Sequence, residues 1–493
     1  MTDSQSFAVV VLLAAVVGLA AVLSNRLTAR LKVPAPGLLL IAAAIAVKLV
    51  PALHAPPEVM VERIATIALL CILFDGGLHI GWARFRSAWA PITAAGVPGT
   101  FLTAAAGAVL LHVAFGLAWY PALLVATAVA PTDPAMVFSV LGQKEVAGRS
   151  GTILEGESGA NDPVGIALMA SLITAGGLTG STFLHVGVEF LLQMGIGAAV
   201  GIVGGRALIW FIQRVPLPSE GLYPLRTLAS ALVLFGAAAL AHGSGFLAVF
   251  VAGIVAGDAR APYKREIERF HSAMASLGEI AVFIVLGLTV DLEVIGHPDV
   301  WIPGLIFAAV LTLVIRPVFV GLCLGFTPLH RNERVFVLFA GLKGAVPILL
   351  GSFILAANLA DAQRLYGIVI VVVVISVIVQ GALIPGFTRL LRLPVRSVEP
   401  EPWALGMRLR REPEGVHQFT VTASSPADGS TLRKLSTLPV DMWVTMLVRN
   451  QKPVAVTGST VLRAGDNILV IADAREKAKL AATFEHRQTS NTD

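Results

Sequence analysis

Long apolar runs separated by short polar gaps fill most of the chain. A helix that crosses a bilayer needs roughly 20 mostly apolar residues, and thirteen runs come close to this length before residue 390. The hydrophobic pattern therefore predicts an all-α polytopic membrane protein with 13 transmembrane helices, whose ends are defined to within about 2–4 residues. The predicted spans are 7–25, 36–52, 61–80, 89–115, 118–141, 151–174, 184–212, 226–242, 245–258, 271–290, 300–324, 334–357 and 366–388.

The pattern changes after the last of these runs. A transmembrane domain is predicted at 1–392 and a charged linker at 393–415, and no later apolar run is long enough to span a membrane. Short alternating stretches then indicate strands, and two helical segments accompany them, which together predict a small α/β domain at 416–486 and a disordered tail at 487–493. The predicted strands are 417–423, 442–448, 453–457 and 467–472, and the predicted helices lie near 431–435 and 475–484.

Lys and Arg are distributed very unevenly between alternate loops. One set of loops holds 18 of them, and the opposite set holds only Lys48, Arg63 and Arg364. Because cytoplasmic loops carry the excess of basic residues, this imbalance predicts a periplasmic amino terminus and a cytoplasmic carboxyl terminus. The segment that leads into the first run contains Asp3 and no Lys or Arg, so this run is not expected to be a cleavable signal peptide.

Composition narrows the chemistry that the chain can perform. Hydrophobic residues make up 56% of the chain and charged residues 14%, and the net charge of +5 is small for 493 residues. The basic side chains do not cluster on one face, so no nucleic-acid partner is expected. Cys71 and Cys323 both lie in apolar runs, which excludes a disulfide framework and a four-cysteine zinc site. No cofactor is implied.

The fifth span contains a carboxylate between two prolines. Pro131 and Pro134 lack an N–H and leave the carbonyls of Thr127 and Ala130 without their helical donors, so the helix is expected to break around Asp133. A broken helix presents carbonyl oxygens and half-helix ends to an ion, and Thr132 adds a hydroxyl. A simple kink is the alternative, but a kink does not require an aspartate.

The sixth span carries two polar ridges. Helical spacing places Glu157 beside Asn161 and Ser158 beside Asp162. At membrane depth, desolvation favours the protonated form of a carboxylate, so that proton binding and cation binding compete near neutral pH. One carboxylate that holds either a proton or a cation, but not both, would couple the two fluxes.

The twelfth span is also interrupted. Pro347 is expected to free the carbonyl of Lys343, and Gly341 and Gly344 weaken the helix around it. The interruptions fall in spans five and twelve, which is the relation expected if spans 1–6 and 8–13 are inverted repeats. Corresponding breaks in two such halves predict a binding site near the bilayer midplane.

Other charged residues inside spans need partners. Arg316 is too deep to reach the interface easily, and Glu157 is its predicted partner in a structural ion pair. Asp75 is a further acidic candidate near the ion site, with a capping or snorkelling role as the alternative. Glu279 is expected near a helix end or in a packing hydrogen bond.

These motifs resemble a known family. The segments 130–134, Ala-Pro-Thr-Asp-Pro, and 157–163, Glu-Ser-Gly-Ala-Asn-Asp-Pro, are similar to those of the NhaP-type monovalent cation:proton antiporters. The resemblance implies a homodimer in the bacterial inner membrane, with crossed, unwound helices 5 and 12 in a moving core domain. It also implies that Asp162 exchanges proton for cation, with Thr132, Asp133 and Ser158 in or near the ion site. A monovalent cation would bind at Asp162, Thr132 and Ser158.

The resemblance also bears on the stoichiometry and on the neighbouring residues. Asn161 followed by Asp162 matches the electroneutral branch, in which one cation is exchanged for one proton. Glu157 and Arg316 correspond to the stabilising ion pair of the family. The chain departs from the family pattern at Asp75, where the family usually has Glu, and at Lys343, where it usually has Arg. Both residues keep the charge but change its reach, so cation preference does not carry over directly.

The segment 416–486 resembles a TrkA-C domain. The runs 428–435 and 462–466 carry this similarity. Domains of this kind accompany potassium transport systems and can pair or bind small regulators. The combination favours K+/H+ exchange for potassium and pH or volume homeostasis, with Na+(Li+)/H+ exchange as the alternative.

Two further classes can be weighed against exchange. A cation channel would need a continuous filter, and the sequence contains no repeated filter-like motif. An intramembrane aspartyl protease could use Asp133 and Asp162 as a dyad, but neither residue lies in a Gly-x-Gly-Asp context. In vesicles, an exchanger moves protons when a cation gradient is imposed, a channel carries current, and a protease does neither.

Overall fold

The structure is a computed structural model of the 493-residue chain. It describes residues 18–19, 34–49, 56–141, 144–146, 149–178, 182–327, 329–357, 359–393, 395–397, 415–423, 425–435, 442–450 and 452–485. The chain divides into two compact units, Met1–Trp403 and Ala404–Asp493. The predicted tail at 487–493 and most of the predicted linker lie outside the described residues.

The first unit is built from helices. Among its described residues, six helical segments are long and apolar enough to cross a bilayer. These six are 58–115, 184–214, 222–240, 264–288, 298–323 and 362–390. The α-helices of the unit are Ala35–Leu49, Glu58–Gly96, Pro98–Phe115, Trp119–Ala128, Pro134–Leu141, Arg149–Ala175, Thr182–Arg214, Leu222–Leu240, Gly245–Gly257, Lys264–Leu288, Leu292–Gly296, Pro298–Val310, Arg316–Cys323, Arg331–Phe339, Ala345–Ala356, Ala362–Ile375 and Gly381–Leu390.

Hydropathy located these helices well. The first predicted span, 7–25, falls outside the described residues except for the helical pair 18–19. Each of the other predicted spans overlaps a helix of the structure. Two helices contain a π-helical turn, Leu311–Ile315 and Ser376–Gln380. Each turn shifts the register of the hydrogen bonds without ending its helix.

The third and fourth predicted spans have different limits in the structure. The sequence predicted 61–80 and 89–115, whereas one kinked helix runs from Glu58 to Gly96 and the next begins at Pro98. The backbone leaves the helical region at Gly81 and Ala88, so the intervening charged stretch forms a helical turn rather than an open loop. Pro98 starts the next helix because proline needs no donor in a first turn.

The core of the first unit surrounds the interrupted helices. Val129, Ala130 and Leu342, which lie in the two interruptions, are all buried in one hydrophobic cluster. This cluster also includes Met136 and Ile348 from the helical segments that follow. Backbone that leaves the helical conformation at membrane depth is tolerated only where it is buried in protein or lines a cavity, and both interruptions meet this condition.

The first unit also contains a short sheet that the sequence did not predict. Strands β1 (Lys144–Val146) and β2 (Val395–Ser397) pair in antiparallel register, with Glu145 opposite Arg396. β1 follows the helix Pro134–Leu141, and β2 follows the last helix of the unit. Two strands of three residues each are too short for an alternation pattern to identify.

The second unit contains the predicted small sheet. Four strands, β3 (Val416–Thr420), β4 (Trp443–Arg449), β5 (Lys452–Val454) and β6 (Asn467–Ile471), form an antiparallel sheet in the order β3-β6-β4-β5. The helix Lys477–Phe484 packs on it, with the rings of Phe419 and Phe484 at 5.6 Å. The four predicted strands and the final helix are therefore confirmed.

An ion pair with a buried carboxylate fixes a turn of this sheet. Arg449 binds both carboxylate oxygens of Asp466, at 2.8 and 2.7 Å, and the N–H of Arg463 donates to the same group at 2.9 Å. Burial opposes the charged form of Asp466, but these hydrogen bonds outweigh it and hold the pKa of its carboxyl below the usual range. The turn that leads into β6 is thereby fixed.

Candidate functional site

The first helix interruption lies where the two prolines predicted it. The helix Trp119–Ala128 ends before residues 129–133, and Pro134–Leu141 resumes after them. The Asp133 carboxylate accepts a hydrogen bond from the N–H of Ala135 at 2.9 Å, so it caps the amino end of the second half. A negative charge at this end complements the helix dipole.

A second interruption lies directly against the first. The helix Arg331–Phe339 ends before residues 340–344, and Ala345–Ala356 follows them. The N–H of Asp133 donates to the carbonyl of Leu342 at 2.8 Å. The sequence attributed this break partly to Pro347, but Pro347 lies in the first turn of Ala345–Ala356, where proline interrupts no hydrogen bond.

Lys343 joins the two interruptions. Its ammonium group donates to the carbonyls of Ala130 and Pro131, at 2.9 and 3.0 Å. The Ala130 carbonyl is one of the two that the sequence predicted to lose their helical donors, and Lys343 supplies the replacement. Its positive charge lies at the carbonyl end of the first half-helix, where the dipole favours a cation. The sequence indicated Lys343 only as a member of a motif and did not reveal this contact.

Two further polar residues hold the second interruption, and the sequence analysis missed both. The hydroxyl of Ser376 accepts from the N–H of Lys343 at 3.0 Å and donates to Gln380 at 2.9 Å. The Gln380 amide in turn donates to the carbonyl of Phe339 at 2.6 Å. Both residues belong to the π-helical turn Ser376–Gln380. Their polar character inside an otherwise apolar run was the available signal.

Two glycines allow the second interruption to approach its neighbours. A Cβ on Gly344 would collide with the carboxylate of Asp133, and a Cβ on Gly341 would collide with the guanidinium of Arg316. The sequence interpreted both glycines as weak points of a helix. The structure gives them a steric role, since only glycine leaves room for the two charged groups.

The polar ridges of the sixth span face the first interruption. Asn161 donates from its amide to the Thr132 hydroxyl at 2.8 Å and accepts from the Thr132 N–H at 3.3 Å. Ser158 donates to Asp162 at 3.4 Å, one helical turn away. The helix Arg149–Ala175 that carries these residues continues through Pro163 without a break.

Asp162 has an oxygen that remains available. Its side chain is only 6% exposed, and its Oδ1 accepts no hydrogen bond from the residues that the structure describes. Asp162 interacts electrostatically with Asp133 and with Lys343. A buried carboxylate without full hydrogen bonding is costly unless it gains a proton or a cation. The arrangement can therefore alternate between the two.

Glu157 and Arg316 form a bidentate ion pair next to this site. The two N–O distances are 2.8 and 3.0 Å, and the residues are 1% and 4% exposed. Arg316 also donates to the carbonyls of Leu338 and Val337 at the end of Arg331–Phe339. The pair thus connects the helix of Asp162 to the segment that leads into the second interruption.

Asp75 has its contacts elsewhere. Its carboxylate accepts from the Ser272 hydroxyl at 3.1 Å and lies 3.2 Å from the His79 ring. Both partners belong to helices outside the interrupted pair, so the structure does not bring Asp75 into contact with Thr132, Ser158 or Asp162 through any hydrogen bond it describes. Within the described ranges, no group of three or more His, Cys, Asp or Glu side chains is arranged to hold a metal.

Paired helix interruptions around buried carboxylates are the architecture of a secondary transporter. Residues 11–390 match the transmembrane sodium/hydrogen exchanger family, and residues 416–485 match the TrkA-C domain. The chain therefore belongs to the sodium/hydrogen exchanger family, whose members are antiporters.

Named relatives cover most of the chain. It is 31% identical over 442 residues to the K+/H+ antiporter NhaP2 of Shewanella oneidensis, a match that spans 87% of this chain and 75% of that one. It is also 31% identical over 438 residues to the K+/H+ antiporter NhaP of Alkalimonas amylolytica, over 87% and 75% of the two chains. The Na+/H+ antiporter NhaH of Halobacillus dabanensis is 28% identical over 340 residues, over 66% and 82% of the two chains.

A solved structure shares the fold. The sodium proton antiporter MjNhaP1 of Methanocaldococcus jannaschii superposes with a TM-score of 0.64, over 76% of this chain and 99% of that one, at 21% identity. At this identity, the similarity establishes the mostly helical antiporter fold and nothing about the ion.

Replacing Gly344 with Ala tests the contact between the interruptions. The added methyl group is expected to displace the Asp133 carboxylate and to lower the exchange rate about 100-fold, as misplacements of about 1 Å can do. Gly386→Ala is the matched control, since a Cβ there meets open space. Exchange measured in proteoliposomes should fall only in Gly344→Ala, and equal rates in the two variants would contradict the steric assignment.

Proposed function

We propose that this chain exchanges K+ for H+ across a bacterial inner membrane by alternating access. Two observations support potassium: the K+/H+ antiporters among its named relatives and the TrkA-C domain that follows the exchanger region. No cofactor takes part, and the ions themselves are the substrates. The Na+(Li+)/H+ alternative rests on the similarity to NhaH.

The open oxygen of Asp162 is the observation that carries this proposal. The carboxylate is buried, and Oδ1 lacks a hydrogen bond from the described residues. Without a ligand it favours a proton, since a bare charge at this depth is expensive. A cation that reaches the group with oxygens from Ser158 and Thr132 displaces that proton. Because Asp162 cannot hold both, movement of one ion inward requires movement of the other outward.

One exchanging carboxylate implies one cation for each proton. Asn161, which precedes Asp162, is neutral, and its amide group is hydrogen-bonded to Thr132. It therefore adds no second exchangeable charge. Lys343 is committed to two backbone carbonyls. The electroneutral exchange that the family resemblance implies is consistent with both roles.

The movement that alternates access would involve the interrupted helices. Three hydrogen bonds join the two interruptions, one from Asp133 and two from Lys343. The ion pair of Glu157 with Arg316 links the helix of Asp162 to these two interrupted segments. We propose that these segments move together as a core domain, within thirteen transmembrane helices that include two inverted repeats. The periplasmic amino terminus, the cytoplasmic carboxyl terminus and the homodimer are part of the same proposal.

Proton flux in proteoliposomes tests the ion and the coupling together. With an outward or inward pH gradient established, addition of K+, Na+ or Li+ should dissipate the gradient, with K+ effective at the lowest concentration. Clamping the membrane potential at zero should leave the rate unchanged if exchange is electroneutral. Preference for Na+ or Li+ would favour the alternative, and no response to any of the three cations would contradict antiport.

We also propose that the TrkA-C domain regulates exchange through the β1–β2 sheet. In chain order, β2 lies between the last helix of the first unit and the second unit, and β1 follows the half-helix that Asp133 caps. Their backbone pairing joins the segment that precedes the second unit in the chain to the segment that follows this half-helix.

A disulfide across this sheet is expected to slow exchange reversibly. Glu145 and Arg396 are opposite each other in the pairing, and opposite residues lie about 4.5–5.5 Å apart, within reach of a disulfide. The pair Glu145→Cys and Arg396→Cys, in a Cys71→Ser and Cys323→Ser background, should crosslink on oxidation and lose exchange several-fold until reduced.

The control shifts the pairing by two residues. Lys144→Cys with Val395→Cys places the thiols on the order of 8 Å apart, too far for a disulfide. Equal crosslinking of both pairs would contradict the register, and a crosslinked protein that exchanges at the full rate would contradict the regulatory route.

A further inference from the structure

The helix Glu58–Gly96 packs on different partners before and after its kink. In the first half, a Cβ on Gly77 would lie 2.5 Å from the carbonyl oxygen of Phe250 and 3.0 Å from the Cα of Gly253. Glycine thus brings the two backbones into direct contact, as small residues do where membrane helices meet. The first half of the helix is therefore held against Gly245–Gly257.

The second half of the same helix packs on the helix that carries Asp162. A Cβ on Gly96 would lie 3.2 Å from the carbonyl oxygen of Glu157, so these two backbones are also in close contact. A Cβ on Gly156 would collide with the side chain of Ile92. One helix thus joins two parts of the protein, and only the second of these parts contains the ion site.

A short segment connects the two halves. Gly81 has a φ of 62°, in the left-handed region that favours glycine, and Ala88 is the second position at which the backbone leaves the helical conformation. A Cβ on Gly81 would collide with the carboxylate of Asp258, which accepts a hydrogen bond from the N–H of Ala83 at 2.5 Å. Because Asp258 ends the helix that holds the first half, residues 81–88 are fixed to that part at their start.

The side chain of Arg84, in this segment, binds both parts. Its Nε and Nη2 donate to the hydroxyl of Thr152 at 3.2 and 3.1 Å, and Nη2 also donates to the carboxylate of Glu155 at 3.2 Å. Its Nη1 donates to the carbonyl of His79 at 3.1 Å. His79 precedes the kink, whereas Thr152 and Glu155 belong to the helix of Asp162. One guanidinium therefore links the two parts of the protein.

The helix that Arg84 binds transmits its position to the ion site. Asp162 lies ten residues after Thr152 in the same helix, which is about 15 Å along its axis. The helix Arg149–Ala175 is continuous between the two residues. A displacement of the helix at Thr152 therefore moves Asp162 with it.

We propose that Arg84 is a positioning residue of the exchange cycle. It holds the helix of Asp162 in one of its two end positions, and residues 81–88 are the hinge about which that helix changes position. The inference rests on the proposed exchange and on the proposed movement of the core domain. The two partners of Arg84 on the moving helix separate from it when the helix leaves this position, because the guanidinium is also bound to the part that stays in place.

The affinities at the two membrane faces distinguish this role from packing. A contact that exists in only one end position shifts the equilibrium between the two positions. The apparent affinity at each face is the intrinsic affinity multiplied by the fraction of protein that is open to that face. Loss of the contact therefore raises the half-maximal K+ concentration at one face and lowers it at the other. A contact that only stabilises the fold would leave the ratio of the two concentrations unchanged.

The experiment measures this ratio in membrane vesicles that contain the full-length protein. Right-side-out and everted vesicles, from cells without cation:proton exchange of their own, present K+ to the two faces in turn. Arg84→Gln is expected to change the ratio of the two half-maximal concentrations about threefold, since it removes hydrogen bonds from one end position only.

Two further variants separate the contact from the charge. Thr152→Val removes the shared hydroxyl, keeps the shape of the side chain and changes no charge, and it should change the ratio in the same direction as Arg84→Gln. Lys264→Gln is the control, since Lys264 is a partly exposed cation that pairs with Glu268 within one helix. The ratio should stay unchanged in this control.

The outcomes separate this inference from the exchange function. An unchanged ratio in Arg84→Gln, with K+-driven proton flux in the unmodified protein, overturns the inference alone. An equal change in Lys264→Gln with none in Thr152→Val also overturns it, because the effect is then one of charge. Absence of cation-driven flux in the unmodified protein overturns the proposed function as well. If Arg84→Gln does not fold, an unchanged ratio in Thr152→Val overturns the inference.

Discussion

Asp162→Asn is expected to abolish exchange while leaving the protein folded. The amide has nearly the same shape as the carboxylate, but it can neither hold a negative charge nor exchange a proton for a cation. Its burial is also cheaper than that of an acid with an unbonded oxygen, so thermal stability should be unchanged or higher. Proton flux driven by a cation gradient should fall to the level of liposomes without protein.

The matched control for this variant is Glu293→Gln. Glu293 is an exposed acid that pairs with Lys48 at 3.5 Å, so its loss removes a negative charge without touching the site. Exchange should be retained in this control. The assignment of Asp162 would be contradicted if Asp162→Asn showed a cation-driven proton flux clearly above that of empty liposomes. This holds whatever the result at other positions.

The sequence predicted those features that follow from local chemistry. Helix positions followed from hydropathy because each membrane helix needs its own apolar run. The break at 129–133 followed from two prolines, each of which removes a backbone donor. The contact of Arg316 with Glu157 followed from the cost of leaving a charge unpaired at membrane depth.

The sequence could not supply the contacts between distant segments. The bond from Lys343 to Ala130 joins residues 213 positions apart, and nothing in either local pattern identifies the partner. Gly341 and Gly344 look the same in the sequence whether they weaken a helix or make room for a neighbouring side chain. Asp75 was predicted as a candidate near the ion site or as a capping residue, and its hydrogen bond with Ser272 joins residues 197 positions apart. Glu279 was expected near a helix end or in a packing hydrogen bond, and it lies nine residues before the end of the helix Lys264–Leu288.

The second large effect is expected on stability, from the pair of Glu157 and Arg316. Removing one member of a buried ion pair leaves the other charge uncompensated and typically costs about 3–5 kcal/mol. Glu157→Gln should therefore lower the temperature at which the detergent-solubilised protein loses its monodisperse state. Arg316→Met should lower it further, because Arg316 also binds the carbonyls of Leu338 and Val337.

Two comparisons make this prediction specific. Asp299→Asn breaks a pair with Arg364 in which both side chains are substantially exposed, and should cost less than about 1 kcal/mol.

The double variant Glu157→Met with Arg316→Met removes both charges and should recover part of the loss, since buried pairs can often be replaced by apolar side chains. Exchange by the folded fraction of the double variant should exceed that of either single variant, because the Asp162 helix no longer carries an unpaired charge. If both single variants were as stable as the unmodified protein, the structural role of the pair would be contradicted.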